Sequence, residues 1–448
     1  MTHTLIYPHT SRHNEAGHLE IGGCDVVRLA ERVGTPLFIY DEQTLRDQCS
    51  AYQRAFAQYT DDYEIVYASK AFSCRAMCEL VAEEDLSLDV ASGGELAAAV
   101  AAGFPARRIY FHGNNKSVAE IDYGLDSVIG HFVVDSFEEI DRLEAAVAAR
   151  GGHQHVLARL TPGVRPSTHD FVQTGQQDSK FGFGLADGRA AEAVRRLHDA
   201  AHLDLVGVHA HIGSQIFDLS SYRREVEALF IALDDWRRDF GFECGVFNMG
   251  GGLGIRYTAA DMPSSIAEFA EVSVTAVHEG AARHGMAVPR IFVEPGRSIA
   301  GKAGVTAYTV GTVKVIPGVR TYVAVDGGMS DNLRPMLYDS RYEALVAGKV
   351  EAPPTEVVTI AGKHCESGDV LVRDVHIAPP EPGDVIVTPG TGAYGYAMAN
   401  NYNAQPRPAV VLVAGGTARV IIERESWDDV GRLQRSLSSE RVSIAWRD

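Results

Sequence analysis

The sequence predicts an α/β protein, a (β/α)₈ barrel followed by an all-β domain of sandwich or barrel type. Three observations carry this expectation. Between residues 63 and 296, eight strand-like runs alternate with alanine-rich runs of helical spacing. The eight strand-like runs end on polar or glycine residues. After about residue 298 the helical runs stop, and strand-like runs separated by turns take over.

The leader "MTHTLIYPHTSRHNEAG" has no basic start followed by an apolar core, so no signal peptide is expected. Next, "HLEIGGCDVVRLAERVGTPLFIYD" reads as strand, helix and strand. The barrel strands follow as "YEIVYASK", "LSLDVAS", "RRIYFHG", "GHFVVDS", "HVLARLTPG", "LVGVHAHIG", "GVFNMGGG" and "RIFVEPG". Segments such as "GELAAAVAAG" and "FEEIDRLEAAVAAR" supply the helices between them. Beyond them, "GVTAYTVGTVKVI", "TYVAVDGG", "DVLVRDVHIA", "DVIVTPG", "RPAVVLVAGG" and "ARVIIERES" are strand-like. The expected division is a segment 1–44 packing with the β domain, a barrel over 45–298 and the β domain over 299–448.

Composition narrows the function. The chain has 448 residues, 46% hydrophobic and 22% charged, as globular proteins do. A net charge of −18 argues against a nucleic-acid or anionic-membrane surface, though a few arginines could still hold an anionic substrate. The six cysteines lack zinc-ligand spacing, and Cys74 and Cys78, one helical turn apart, read as helix packing. The pattern suits a reducing cytoplasm. No run of about eighteen apolar residues suggests a membrane span.

In a barrel, chemistry is built at the C-terminal strand ends. Those ends carry Lys70, Asp89, His112, Asp135, Arg159, His211, the glycines Gly250, Gly251 and Gly252, and Glu294. A lysine closing a strand-like run is unusual, since lysine is rarely buried unpaired. "GGGLGI" fails the dinucleotide spacing, because the third fingerprint position falls on Ile255. It reads better as a backbone nest for a phosphate. "GRSIAGKA" misses a P-loop because Ala303 stands where Ser or Thr is required. A phosphate nest beside a strand-end lysine points to pyridoxal phosphate, which needs an amine, a phosphate anchor and a partner for its ring nitrogen. Glu294 would hold that nitrogen protonated, His211 would stack on the ring and Ser214 would bind the phosphate.

These residues lie in motifs that resemble the fold type III pyridoxal-phosphate decarboxylases, and among them the branch acting on diaminopimelate. The motifs are "YASKAF", "HGNNKS", "HDFVQTGQQDSKFGF", "HAHIGSQI", "GGGLGI", "EPGRSI", "DGGMSDNLRPMLYDSRY", "KHCESGDV" and "GAYGYAMANNYN", in that order over nearly the whole chain. The resemblance implies that Lys70 is the Schiff-base lysine and Glu294 the ring-nitrogen partner, with His211 stacking. It implies cofactor contacts from Ser214, Gly250, Gly251, Gly252, Pro295, Gly296, Arg297 and Tyr394, with Asp89 and Arg159 in support. It further implies a homodimer with shared sites, in which Cys365 of "CESGD" donates a proton from the second subunit.

The implied reaction is loss of CO₂ from meso-2,6-diaminopimelate to give L-lysine. Such a substrate keeps a distal carboxylate and ammonium, so its pocket needs a cation and an anion together. Arg297, Arg334, Tyr338, Glu366 and Tyr394 would supply that set, arginine suiting a carboxylate because its fork binds both oxygens. The rivals are a decarboxylase of ornithine, arginine or carboxynorspermidine, an amino-acid racemase, and a non-catalytic cofactor-binding protein. Glu294 disfavours the racemase, which would use a cationic ring partner. The last motif departs from the family pattern at Ala399 and Asn400.

Overall fold

The structure, a computed structural model, describes residues 5–164 and 179–439. Residues 169–178 of "HDFVQTGQQDSKFGF" and the first four of the leader lie outside the described residues.

Among the described residues, eight parallel strands close into a barrel. They are β1 (Tyr63–Ala68), β2 (Ser87–Val90), β3 (Ile109–Phe111), β4 (His131–Val134), β5 (Gln154–Thr161), β6 (Leu203–Ala210), β7 (Val246–Asn248) and β8 (Arg290–Val293). Sequential strands pair in parallel, with one register shift between Leu205 and Gly207 where β6 meets β5, and β8 returns to β1 through Ile291 opposite Tyr63. The strands are apolar over most of their length because helices cover the outside and packed side chains fill the inside.

The helices start where the sequence supplies a cap. Ser92, Ser117, Ser136 and Ser265 each accept a hydrogen bond from the third helical amide, and Ser117 and Ser265 form capping boxes with Glu120 and Glu268. These caps end each rim loop crisply and so fix the height at which the polar strand ends emerge.

The second unit is a β-sheet built around strand Leu37–Asp41, all five of whose residues are buried. That strand runs antiparallel to β9 (Gly304–Ile316) and parallel to β14 (Ala409–Ala414). The rest of the sheet comprises β10 (Arg320–Val325), β11 (Glu356–Ala361), β12 (Val370–Ile377), β13 (Val385–Pro389) and β15 (Thr417–Ile422), with the two-residue strand Leu345–Val346 paired on β13. The path runs β12-β11-β10-β9, then Leu37–Asp41, then β14-β15, with β13 on β9. Asp41 both ends its strand and caps the helix Glu42–Phe56, which lies against the barrel. Strand β11 is absent from the sequence reading. Its run "EVVTIA" is short and follows Pro353 and Pro354, which mask it as a loop.

Candidate active site

The strand ends converge on a cavity of about 350 Å³ at the C-terminal rim, between the barrel and the β domain. Lys70, Asp89, His112, Arg159, His209, His211, Ser214, Glu294, Arg297, Arg334, Tyr338 and Tyr394 all line it.

Lys70 gets there because β1 gives way after Ala68 to a single 3₁₀ turn, Ser69–Ala71. Ser69 anchors the turn by donating to Glu95 Oε2 at 2.8 Å, and the Ala68 amide donates to Pro295 at 3.1 Å. The Lys70 side chain is accessible from the cavity and otherwise walled in by protein. Its amine makes no hydrogen bond or ion pair among the described residues. Burial pulls the ammonium pKa down, but Asp89, Tyr394 and Glu294 outweigh it and the net displacement is upward. Neither oxygen of buried Asp89 has a hydrogen-bond partner. Burial pushes its pKa up to about 6 against the pull of His112 and Lys70.

Glu294, at the end of β8, is surrounded by nitrogens. Asn248 Nδ2 donates to Oε1 at 2.8 Å, His112 Nε2 lies 3.0 Å from the same oxygen, and His209 Nε2 lies 3.0 Å from Oε2. Burial opposes the charge, yet the two histidines prevail and hold the carboxyl well below the usual glutamate range. His209 itself is lowered to about 4, by burial first and despite Glu294, so the pair is a carboxylate beside a neutral imidazole. The ligand atoms of His112, His209 and Glu294 lie within 4.8 Å of one another, as a metal would require. Both carboxylate oxygens are already engaged by nitrogen, however, so the arrangement reads as a fixed anion.

His211 lies one step further out. Its Nδ1 accepts from the Gly251 amide at 3.1 Å, which places the proton of the neutral ring on Nε2. Burial first, then Lys70 and Arg159, push its pKa well down. Gly251 is required here: a Cβ would sit 2.0 Å from the Glu294 carbonyl oxygen. The Gly250 amide donates to Asn248 Oδ1 at 2.9 Å. Two of the three glycine amides therefore order the site's own side chains, a task different from the phosphate nest expected from "GGGLGI". Pro295 and Gly296 shape the turn after β8, and a Cβ on Gly296 would meet the Ala68 side chain at 2.9 Å.

The far wall is cationic. Arg297 donates to Ser214 Oγ from Nη2 at 2.8 Å and also to the Tyr257 hydroxyl. Arg334, on the short helix Arg334–Tyr338, donates through Nε to Tyr342 at 3.0 Å and through Nη2 to Ser340 at 3.2 Å. Its Nη1 makes no hydrogen bond among the described residues. The Arg297 and Arg334 guanidiniums lie 4.7 and 5.8 Å from the Tyr394 ring centre. Tyr394 adopts φ 59°, and its amide donates to the Ala71 carbonyl at 2.8 Å, which pins the β domain to the Lys70 turn. Arg159 stacks 4.2 Å from the Phe181 ring, with Asp135 Oδ2 3.7 Å from its Nε.

Cys365 and Glu366 stand apart. Both are exposed and neither lines this cavity. Sequence reasoning gave no role to His112, His209, Asn248 or Tyr257. A signal existed for His209, which stands near the end of β6 two residues before His211, the spacing that puts side chains on one face of an extended chain. Tyr257 follows the glycine loop without a motif of its own. Burial alone would raise its hydroxyl pKa, but Arg297 and Arg334 outweigh burial and lower it.

Comparison with known proteins agrees with this geometry. Residues 42–301 match the family model described as pyridoxal-dependent decarboxylase, pyridoxal binding domain. The chain is 51% identical over 95% of its length, and 97% of the relative's, to diaminopimelate decarboxylase of Bacillus subtilis. It is 48% identical to that of Halalkalibacterium halodurans over 97% of this chain and 99% of the relative. The chain belongs to the diaminopimelate decarboxylase family. The crystal structure of diaminopimelate decarboxylase from M. jannaschii superposes with a TM-score of 0.90 at 33% identity, covering 96% of this chain and 98% of that one. A second structure of that enzyme, in complex with L-lysine, superposes at 0.88 with 33% identity, covering 94% and 96%.

Diaminopimelate decarboxylases and their relatives are pyridoxal-dependent, and the residues of this cavity fit that cofactor. An unpaired lysine amine, a glutamate held anionic by three nitrogens and a flat, fixed histidine ring face one space.

Proposed function

We propose that this chain removes CO₂ from meso-2,6-diaminopimelate to give L-lysine, as a pyridoxal-phosphate enzyme of the cytoplasm that works as a homodimer with shared sites. One observation carries the substrate reading: Arg334, with an unused Nη1, faces the same cavity as the unpaired amine of Lys70. A substrate that binds covalently at one end and still bears a carboxylate at the other needs that opposition. A simple diamine-forming substrate would leave a buried arginine without a counterion.

Bound in the cavity, pyridoxal phosphate supplies an electron sink for the pair left when CO₂ departs. Lys70 would hold it covalently, Glu294 would keep a proton on its ring nitrogen, and the His211 ring would lie flat against it. Ser214, with Arg297 behind it, and Gly252 would face its phosphate. Asp89, close enough to act on the Lys70 charge, would favour a protonated lysine nitrogen and so help move that proton. Arg334, Tyr338 and Tyr394 would orient the distal head of the substrate. Cys365, exposed and outside its own chain's cavity, would deliver a proton in the second subunit's site, with Glu366 beside it to meet the distal ammonium.

The test is to supply purified holoenzyme with meso-diaminopimelate, its LL isomer, ornithine, arginine and lysine, measuring CO₂ and products. Lysine from the meso compound alone is expected; release from ornithine or arginine would reassign Arg334. Shared sites predict that an inactive Lys70→Ala chain and a slow Cys365→Ala chain, when mixed, give more activity than either alone. Each mixed dimer then holds one site with both groups intact, and the absence of any gain would refute sharing.

A further inference from the structure

Cys365 sits on an exposed turn, yet the residues flanking it are tied down by hydrogen bonds. Asp369, four residues on, is buried, and its carboxylate accepts three hydrogen bonds. The His364 amide and His364 Nδ1 reach Oδ2 at 2.9 and 2.8 Å, and the Met329 amide reaches Oδ1 at 2.7 Å. The carboxylate fits because Gly362 has no side chain; a Cβ there would lie 2.1 Å from Asp369 Oδ2. Around it, the Gly362 amide donates to the Asp369 carbonyl at 3.0 Å and the Lys363 amide to Gly327 at 2.9 Å. The His364 ring lies parallel to that of Tyr402, centroids 5.8 Å apart, and the Cys365 amide donates to Asn403 Oδ1 at 2.9 Å.

We infer that Asp369 is the positioning residue of Cys365: it ties the cysteine turn to the 327–334 loop, so the thiol is presented at a set place by a wall that also carries Arg334. The inference rests on the proton-donor role proposed for Cys365. Three donors on one buried carboxylate give a rigid joint, because each bond lost would strand a buried polar group. The joint also spans elements remote in sequence, since Met329 belongs to the segment leading into helix Arg334–Tyr338. Exposure of Cys365 is thereby combined with immobility of its backbone, as a donor serving a neighbouring molecule requires.

Asp369→Asn tests this. Its amide turns an NH₂ group toward the His364 donors, so the joint loosens without loss of volume. The expected result is a kcat for meso-diaminopimelate lower by about 10²-fold, with KM and the absorbance of bound pyridoxal phosphate unchanged. The discriminating reading is the double variant Cys365→Ala/Asp369→Asn, which should be no slower than Cys365→Ala alone. If Asp369→Asn slows the Cys365→Ala enzyme by the same factor as the wild type, its effect is general damage and the inference falls. A wild-type kcat in Asp369→Asn would also overturn it. If Cys365→Ala itself turns over normally, the proton-donor role fails first, a distinct result. Should Asp369→Asn not fold, His364→Phe keeps a ring beside Tyr402 while removing the Nδ1 donor, and the same Cys365-dependent loss of kcat is expected.

Discussion

Two lysines at the barrel rim have opposite surroundings. Lys116, beyond β3, is fully buried and caged: its amine donates to Gly113 O at 2.9 Å, Val133 O at 2.7 Å and Glu139 Oε1 at 2.6 Å. Glu139 in turn accepts from the Asp135 amide at 3.0 Å, so the pair ties one rim loop to the next. Lys70, two residues beyond β1, has four charged or polar neighbours acting on its pKa, Asp89, Tyr394, Glu294 and Arg159, and no hydrogen bond among the described residues. Lys70 closes a strand-like run in "YASKAF", whereas Lys116 in "HGNNKS" stands three residues past the end of one, and that spacing alone does not say which amine is left free. A lysine whose donors are all satisfied has nothing left for a ligand. One left unsatisfied in a cavity is poised to bond one.

Substitution sharpens that contrast. Lys70→Ala should reduce decarboxylation by about 10⁴-fold or more, as removal of a covalent catalytic group does, with little change in melting temperature. It should also abolish the long-wavelength absorbance of lysine-bound pyridoxal; persistence of that band would show another amine carrying the cofactor. Lys116→Met should do the reverse. Glu139 would be left buried without its cation, costing about 3–5 kcal/mol in denaturant unfolding. Residual folded enzyme should keep its turnover. The double change Lys116→Met/Glu139→Leu should recover part of the loss, since an apolar pair removes the stranded charge but leaves the Gly113 and Val133 carbonyls and the Asp135 amide without these partners. If the double variant is as unstable as the single, the pair does more than satisfy itself.

What sequence could reveal follows from the same distinction. The barrel was legible because alternation of strand-like and helical runs is a local signal, and the rim residues because strand ends are local too. Lys70, Asp89, Arg159, His211 and Glu294 were all placed at strand ends from pattern and lie at one rim. Partnership is not local. Asn248 reaching Glu294, and Tyr257 receiving Arg297, connect residues 46 and 40 positions apart. The roles of Gly250 and Gly251 were ambiguous for the same reason. A glycine run signals close approach of the backbone without saying whether a phosphate or a histidine comes close. Strand Leu37–Asp41 reads as a strand readily, but only the fold shows it seated between β9 and β14.

Glu225 extends the comparison to a case where an unsatisfied group has no function to explain it. It lies on helix Ser220–Phe240, fully buried, and neither oxygen has a hydrogen-bond partner. Unlike Lys70 it borders none of the cavity described above. Burial therefore acts unopposed and raises its pKa well above the ordinary 4.5. The consequence for stability has a definite sign. Between pH 4.5 and the folded value, the unfolded chain releases the proton and the folded chain keeps it, so stability falls as pH rises, by about 1.4 kcal/mol per pH unit from this group. Glu225→Gln replaces the protonated acid by a neutral group of the same shape and removes that slope. The variant should match the wild type near pH 4.5 and exceed it increasingly as pH rises toward the folded value, read as chemical-denaturation midpoints. A constant offset at every pH would mean that Glu225 is charged in the folded protein, and that burial without a partner does not suffice to keep a carboxyl neutral here. The expected outcome would make an open cavity, rather than an unmet hydrogen bond, the feature that marks Lys70 as functional.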